Sequence, residues 1–134
     1  MSCSLHSVKS GTDVAYESTV RIESQSCPGV TFRVVRMSFA RRLDLFRRIR
    51  EISANLPFLE ASSEFRERVE ASALGQQIEE LYMRWGLAGI DRFTIDGEPA
   101  TLDLLIEKGP DELCKEIVSA IKSQCGLSEE ERKN

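Results

Sequence analysis

Apolar and polar side chains alternate along residues 14–23 and again along residues 30–37, and this pattern constrains the fold more than any other feature. Residues two apart lie on the same side of a β-strand, so alternation gives a strand one apolar face. Between the two stretches, Pro28 fixes φ and Gly29 accepts a positive φ, as turns require. The sequence therefore predicts an antiparallel β-hairpin over about residues 14–37, which must pack on another layer because isolated hairpins are marginal in water.

A helical period replaces the alternation at Ser38, which predicts an N-cap. The first helix is expected from Phe39 to about Leu56, where Pro57 ends it. Its apolar positions cover about half of the helical circumference; they are Phe39, Leu43, Leu45, Phe46, Ile49, Ile52 and Leu56.

A second long helix is predicted after a cap at Ser62 or Ser63, and Gly86 is expected to close it as a left-handed residue. Glycine weakens a helix interior by about 1 kcal/mol relative to alanine, so a bend or break is expected at Gly75. The pattern predicts one buried face, made of Phe65, Val69, Leu74, Ile78, Leu81, Tyr82 and Trp85.

The last third of the chain contains a short apolar segment and two more helices. Arg92–Ile95 is too short for an independent strand, and we expect it to join the sheet of the hairpin. Thr101 predicts a cap for a helix over Leu102–Lys108. Another helix begins at Asp111, and Gly126 ends it.

Together these elements predict a single α+β domain over residues 13–134. An N-terminal antiparallel β-hairpin (about 14–37) packs on four or five α-helices (about 38–134), and residues 1–12 form a flexible arm. Ser128 and Glu131 have the spacing of a capping box, which predicts a final helical turn.

Composition excludes several classes of protein. Hydrophobic residues make up 41% of the chain, charged residues 30%, and the net charge is −4, values that are ordinary for a globular domain. No apolar run approaches the length of about 20 residues that a membrane span needs, and no signal peptide is evident, so we expect a cytoplasmic protein.

Four cysteines and one histidine give no metal-binding pattern, because no Cys-x-x-Cys pair occurs and His6 lies in the predicted arm. Cys114 and Cys125 lie in one predicted helix, too far apart for a disulfide. Free, half-buried thiols are predicted, and no cofactor is expected.

Seven arginines between residues 33 and 50 allow two interpretations. A basic surface that binds phosphates or an acidic partner is one, but the arginines scatter around the helix and do not line up in one stripe. The other is a solvated helix face whose arginines pair with Asp44, Glu51 and nearby acids. Arg42 and Arg50 project within the apolar half of the first helix, which makes them the candidates for a protein interface. The cluster consists of Arg33, Arg36, Arg41, Arg42, Arg47, Arg48 and Arg50.

The sequence gives little support for a catalytic site. The acids of the last third lack calcium-loop spacing, and neither a phosphate-binding loop nor a base beside a nucleophile is present. A small enzyme using a pair of carboxylates remains an alternative. No catalytic, metal-binding or cofactor-binding residue is assigned. The acids concerned are Asp91, Asp96, Glu98 and Asp103.

Several segments resemble tail assembly chaperones of long-tailed bacteriophages and prophages, and the resemblance extends over about residues 14–134. The segments that carry it are Pro28–Arg42 (PGVTFRVVRMSFARR), Leu81–Leu87 (LYMRWGL), Ile95–Thr101 (IDGEPAT), Glu107–Val118 (EKGPDELCKEIV) and Gly126–Asn134 (GLSEEERKN).

The resemblance implies a non-enzymatic protein of the bacterial host cytoplasm that is absent from the mature virion. Members of this family bind the helical tape-measure protein, keep it soluble and act with the tail-tube protein during assembly. Self-association and a longer frameshifted product stay open. A nucleic-acid-binding or regulatory phage protein using the Arg33–Arg50 cluster is the alternative.

The two long amphipathic helices are suited to building an apolar groove with a basic rim for a partner helix. Tyr82 and Trp85 are core residues by default and become partner anchors if they are exposed. The candidate partner-binding residues are Arg42, Phe46, Arg47, Arg50, Tyr82 and Trp85.

Overall fold

The computed structural model describes residues 5–7 and 13–126. Over these residues the chain has the predicted α+β class: a three-stranded antiparallel sheet packs against five helices, with a small hairpin near the C-terminal end. The strands are β1 (Leu5–Ser7), β2 (Val14–Tyr16), β3 (Thr19–Glu23), β4 (Thr31–Val35), β5 (Leu87–Asp91), β6 (Thr94–Ile95) and β7 (Glu98–Pro99). The helices are α1 (Phe39–Ser53), α2 (Leu56–Glu60), α3 (Phe65–Gly86), α4 (Leu102–Lys108) and α5 (Asp111–Gln124).

The central sheet has the strand order β3-β4-β5, and its first two strands confirm the predicted hairpin. Ile22 lies opposite Phe32, which in turn lies opposite Ile90, and Val20 lies opposite Val34. These pairs put apolar side chains on one face of the sheet. Phe32 and Val34 are fully buried there, beneath the helices.

The N-terminal strand is divided, whereas the sequence pattern predicted one strand over residues 14–23. The chain leaves extended pairing at Glu17 and Ser18, where the Ser18 carbonyl accepts a hydrogen bond from the Arg36 N–H at 2.7 Å. Strand β2 pairs with β1, three residues of the predicted arm, and Val14 and Tyr16 are exposed. The other arm residues lie outside the described part of the chain.

Helix α1 starts as predicted, because the Ser38 hydroxyl accepts a hydrogen bond from the Arg41 N–H at 3.2 Å. It ends at Ser53, three residues earlier than expected. Pro57 does not end α1; it lies in the first turn of α2, where a missing N–H costs no helical hydrogen bond.

Helix α3 runs without interruption through Gly75. Of the predicted bend or break, the break is therefore wrong, and the bend stays a prediction. The expected Ser62 or Ser63 cap is also not seen, since Glu64 is the N-cap residue and its side chain makes no cap hydrogen bond. Gly86 is still helical rather than left-handed, and the chain passes straight into β5. A Cβ at Gly86 would overlap the buried Ile121 side chain, so glycine here allows α5 to approach α3 closely.

The third strand of the sheet is β5, whereas the sequence predicted that Arg92–Ile95 would join it. Thr94 and Ile95 instead pair with β7 across Asp96-Gly97, both of which have positive φ, as in a type I′ hairpin turn. The Thr101 cap of α4 is confirmed by its hydrogen bond with the Leu104 N–H at 3.2 Å.

Helix α5 lies at the centre of the core, and three of its side chains, Leu113, Ile117 and Ile121, are fully buried. Gly126 follows it with a φ of 81°, which confirms the predicted left-handed end. The predicted capping box at residues 128–131 lies outside the described residues. The remaining buried core residues are Phe32, Val34, Met37, Leu45, Tyr82, Met83, Ile95, Leu105, Val118 and Cys125.

In the first half of α3, two side chains that were predicted to be buried are exposed. Phe65 is 77% exposed and Val69 is 51% exposed, so their assignment to the core is wrong. Tyr82, near the other end of the helix, does belong to the core. No helix within the described residues combines the length and apolar character needed to cross a bilayer.

Three cysteines of the described chain are free thiols, as predicted. Cys27 and Cys114 are half-buried, whereas Cys125 is fully enclosed in the core. Cys3 lies outside the described residues.

Candidate protein-binding surface

Helix α1 carries a second apolar line in addition to the one that enters the core. Phe39 is 83% exposed and Leu43 is 45% exposed, while Phe46 is half-buried and packs partly against the core. An α-helix turns by about 100° per residue. An arc of less than about a third of the circumference of α1 therefore contains Phe39, Leu43, Phe46, Arg47 and Arg50. We call these five residues the α1 stripe.

The basic part of the α1 stripe is available for a partner. Arg47 and Arg50 are exposed, and neither forms an ion pair within the described residues. Arg42 lies at the edge of the stripe; it is half-buried and donates a hydrogen bond to the Met37 carbonyl at 3.4 Å. The Arg42 Nε is buried and has no hydrogen-bond partner among the described residues. The positive charge of the stripe therefore rests on two exposed guanidinium groups.

Tyr82 and Trp85 lie away from the stripe. Tyr82 is only 6% exposed, with the Lys122 ammonium 5.2 Å from the centre of its ring. Trp85 is half-buried, and the guanidinium groups of Arg48 and Arg41 lie 4.7 and 5.7 Å from its ring centre. These two of the six candidate residues are therefore not brought together with Phe46, Arg47 and Arg50.

The contact of Arg41 with Trp85 explains how α1 is fixed on α3. The Arg41 guanidinium donates two hydrogen bonds to the Trp85 carbonyl, at 3.0 and 2.9 Å, near the end of α3. Arg48 contacts the same indole and also pairs with Asp44 at 3.3 Å. The sequence prediction did not separate Arg41 and Arg48 from the rest of the cluster. Their i,i+7 spacing, on the side of α1 away from Phe39, was the signal of a separate role.

The other members of the arginine cluster do not form one basic surface with the stripe. Arg33 lies on the sheet, 3.7 Å from the Asp91 carboxylate, and it stacks against Gly89, where no side chain obstructs it. Arg41 and Arg48 are engaged with Trp85, as described above. The nucleic-acid interpretation of the cluster stays a prediction.

Three acids of the last third, Asp91, Asp96 and Asp103, take part in surface ion pairs. Asp96 lies 3.2 Å from the Lys108 ammonium, and Asp103 lies 3.2 Å from the Arg84 guanidinium. Together with Glu80, Asp103 raises the pKa of Arg84. Over residues 13–126, no group of three or more His, Cys, Asp or Glu side chains is placed to hold a metal ion.

A cleft of about 290 Å³ lies between α3, α4 and α5, with an apolar floor that includes Met83, Leu105 and Val118. The Cys114 thiol lines this cleft and donates to the Leu105 carbonyl at 3.6 Å. Burial, with a smaller contribution from Asp111, raises the pKa of Cys114. A thiol whose pKa is raised carries little thiolate at neutral pH and is a poor nucleophile.

Comparisons with protein-family profiles, with curated proteins and with solved structures find no match to this chain.

Proposed function

We propose that the protein is a non-enzymatic tail assembly chaperone that binds the tape-measure protein through the α1 stripe. The observation that carries the proposal is the exposure of Phe39 and Leu43 on a helix whose core-facing side is already packed. Exposed apolar side chains in line along a helix are typical of a surface that binds another protein.

The α1 stripe suits an amphipathic helix with an acidic flank. Phe39, Leu43 and the exposed part of Phe46 recur at helical spacing, which matches the apolar face of a partner helix in the helix-in-groove mode. Arg47 and Arg50 stand beside this line without acidic partners in the described chain, so acidic residues of the partner would meet two exposed cations.

The family resemblance implies that a tape-measure protein presents an amphipathic helix, with its apolar face exposed, before the tail tube encloses it. Binding would then take place in the bacterial host cytoplasm, and the chaperone would leave as tail-tube subunits replace it on the tape measure. The tail-tube protein is the second partner in this proposal. The proposed role needs no catalysis.

Co-expression with the tape-measure protein tests this proposal. Wild-type chain should keep the tape-measure protein in the soluble fraction and be recovered with it in a pull-down. Leu43→Asp should abolish recovery, because it places a carboxylate in the middle of the apolar line. Leu43 is a better choice than Phe46, since Phe46 also packs against the core.

Phe58→Asp provides the matched control, because Phe58 is 71% exposed but lies on α2, outside the stripe. It should leave recovery unchanged, and circular dichroism should show native helicity for both variants. Failure of the wild-type chain to recover the tape-measure protein would contradict the proposed function. Equal recovery with wild type and Leu43→Asp would contradict the assignment of the stripe.

A further inference from the structure

A second exposed apolar region lies at the end of the molecule formed by α2 and the first half of α3. Phe58 is 71% exposed on α2, and Phe65 and Val69 are 77% and 51% exposed one turn apart on α3. A groove of about 430 Å³ runs along α3 here. Its lining includes Glu60, Phe65, Arg68, Val69, Ser72 and Gly75, which we call the α2–α3 surface.

The packing of α2 on α3 leaves these apolar side chains more than half exposed. Leu59 of α2 and Ala71 of α3 are buried, at 8% and 6% exposure, and they occupy the inner side of this helix pair. Phe65 and Val69 line the same groove as Ala71, but each stays more than half exposed. Burying a large aromatic side chain is stabilising, and Phe65 is not buried within the chain. An exposed surface of this kind is typical of a protein–protein interface.

The shape of the groove admits a helix. Ser72 is small, and a Cβ at Gly75 would meet no atom within 4 Å, so the groove is open at this point along α3. Phe65, Val69 and Ser72 follow one another at spacings of four and three residues, which places them on one face of the helix. An apposed helix carrying a phenyl ring at the matching height would fill the space.

The charges of the groove indicate which partner it takes. Glu60 and Arg68 line the same groove, both are exposed, and neither forms an ion pair within the described chain. A partner of a single sign would be repelled by one of them. A second copy related by a two-fold axis would instead place its Arg68 against Glu60 and its Glu60 against Arg68.

We propose that the α2–α3 surface is the contact of a symmetric homodimer, in which Phe65 of each protomer enters the groove of the other. Glu60 of one protomer pairs with Arg68 of its partner, and the pair occurs twice. The α2–α3 surface shares no residue with the α1 stripe. Each proposal can therefore fail without the other.

Sedimentation velocity over a micromolar to submillimolar concentration series tests the dimer. The wild-type chain should pass from monomer to dimer within that series, and Phe65→Asp should raise the dimer dissociation constant at least about tenfold, as loss of a central aromatic anchor does. Phe39→Asp is the matched control, because Phe39 is 83% exposed on α1 and should not affect association. A wild-type chain that remains monomeric, or a dimer that Phe65→Asp leaves unchanged, would overturn the proposal.

Charge reversal tests the symmetry itself. Glu60→Arg and Arg68→Glu should each be monomeric, because each brings like charges together twice across the interface. An equimolar mixture of the two variants should form a heterodimer, since the introduced arginine of the first variant would face the introduced glutamate of the second, while the native Arg68 and Glu60 meet at the other end. The double variant should also dimerise. If neither the mixture nor the double variant associates more strongly than the single variants, the two-fold arrangement is wrong.

Discussion

Replacing Glu116 with glutamine should loosen the attachment of α5 to the turn between β3 and β4. The Glu116 carboxylate accepts hydrogen bonds from the Ser24 hydroxyl at 2.7 Å, the Gln25 N–H at 2.8 Å and the Ser26 hydroxyl at 2.8 Å. The Ser26 N–H is a fourth donor, at 3.4 Å. Glutamine retains one acceptor oxygen, but its NH₂ group replaces the oxygen that faces the Gln25 N–H, and the negative charge is lost.

The magnitude follows from these bonds. A hydrogen bond to a charged group contributes about 1.5–3 kcal/mol, and the exposure of Gln25 and Ser26 favours the lower end of that range. Losing one such bond and weakening the others should reduce the free energy of unfolding by about 2 kcal/mol, which for a chain of this length lowers Tm by about 6 °C. Urea unfolding at pH 7 measures the loss. Glu107→Gln, at an exposed position of α4, should change the free energy by less than about 0.5 kcal/mol.

The pH dependence gives the sharper test. Burial alone would raise the pKa of Glu116, but the hydrogen bonds from Ser24, Gln25 and Ser26 together outweigh burial and lower the pKa below 4.5. A lowered pKa means that the carboxylate stabilises the fold above its unfolded-state pKa, and that this stabilisation disappears as the pH falls through the folded-state pKa. The difference between wild type and Glu116→Gln should therefore be full at pH 7 and shrink as the pH drops below about 4.5. Equal stabilities at pH 7, or a difference that persists unchanged in acid, would refute this reasoning.

Two glycines of α3 and one cysteine of α5 give further predictions. Gly86→Ala should lower the free energy of unfolding by about 1–2 kcal/mol because the added methyl overlaps Ile121, and an unchanged urea midpoint would contradict that. Gly75→Ala should raise the free energy of unfolding by about 0.5–1 kcal/mol, because the site is helical and open, and a loss measured the same way would count against it. Cys114 should react with iodoacetamide at pH 8 much more slowly in the folded chain than after denaturation, because burial raises its pKa; equal rates by peptide mass spectrometry would contradict this.

Local signals predicted many of the elements correctly. The alternation around the Pro28-Gly29 turn gave the hairpin, Thr101 gave the start of α4, and Gly126 gave the end of α5. In each case the decisive interaction lies within a few residues along the chain, where sequence spacing is informative.

The errors arose where tertiary contacts decide the outcome. Gly86 carries the sequence signal of a helix end, but its absent side chain serves the approach of Ile121, and the chain continues into β5. The sequence did not predict β5, because no turn residue lies between the end of α3 and the first residue of the strand. Gly75 was expected to break α3, but the packing of α3 against α1, α2 and α5 offsets the weak helical preference of one glycine.

The candidate surface was predictable only in part. Periodicity placed Phe46, Arg47 and Arg50 on α1 correctly, but it could not separate the apolar side chains that enter the core from those that remain outside. The apolar face of each helix is wider than the part of it that contacts the core, and Phe39 and Phe65 lie on the part left exposed. Periodicity alone does not show which edge of an apolar face stays exposed.

The most direct test of the α1 stripe is a titration of a fluorescently labelled amphipathic segment of the tape-measure protein with wild-type chain, Leu43→Asp and Val69→Asp, followed by anisotropy. Val69 is a suitable control because it is 51% exposed, close to the 45% exposure of Leu43, but lies on the α2–α3 surface. Leu43→Asp should raise the dissociation constant more than about tenfold, and Val69→Asp should leave it unchanged. An unchanged dissociation constant for Leu43→Asp, with native helicity, would contradict the account.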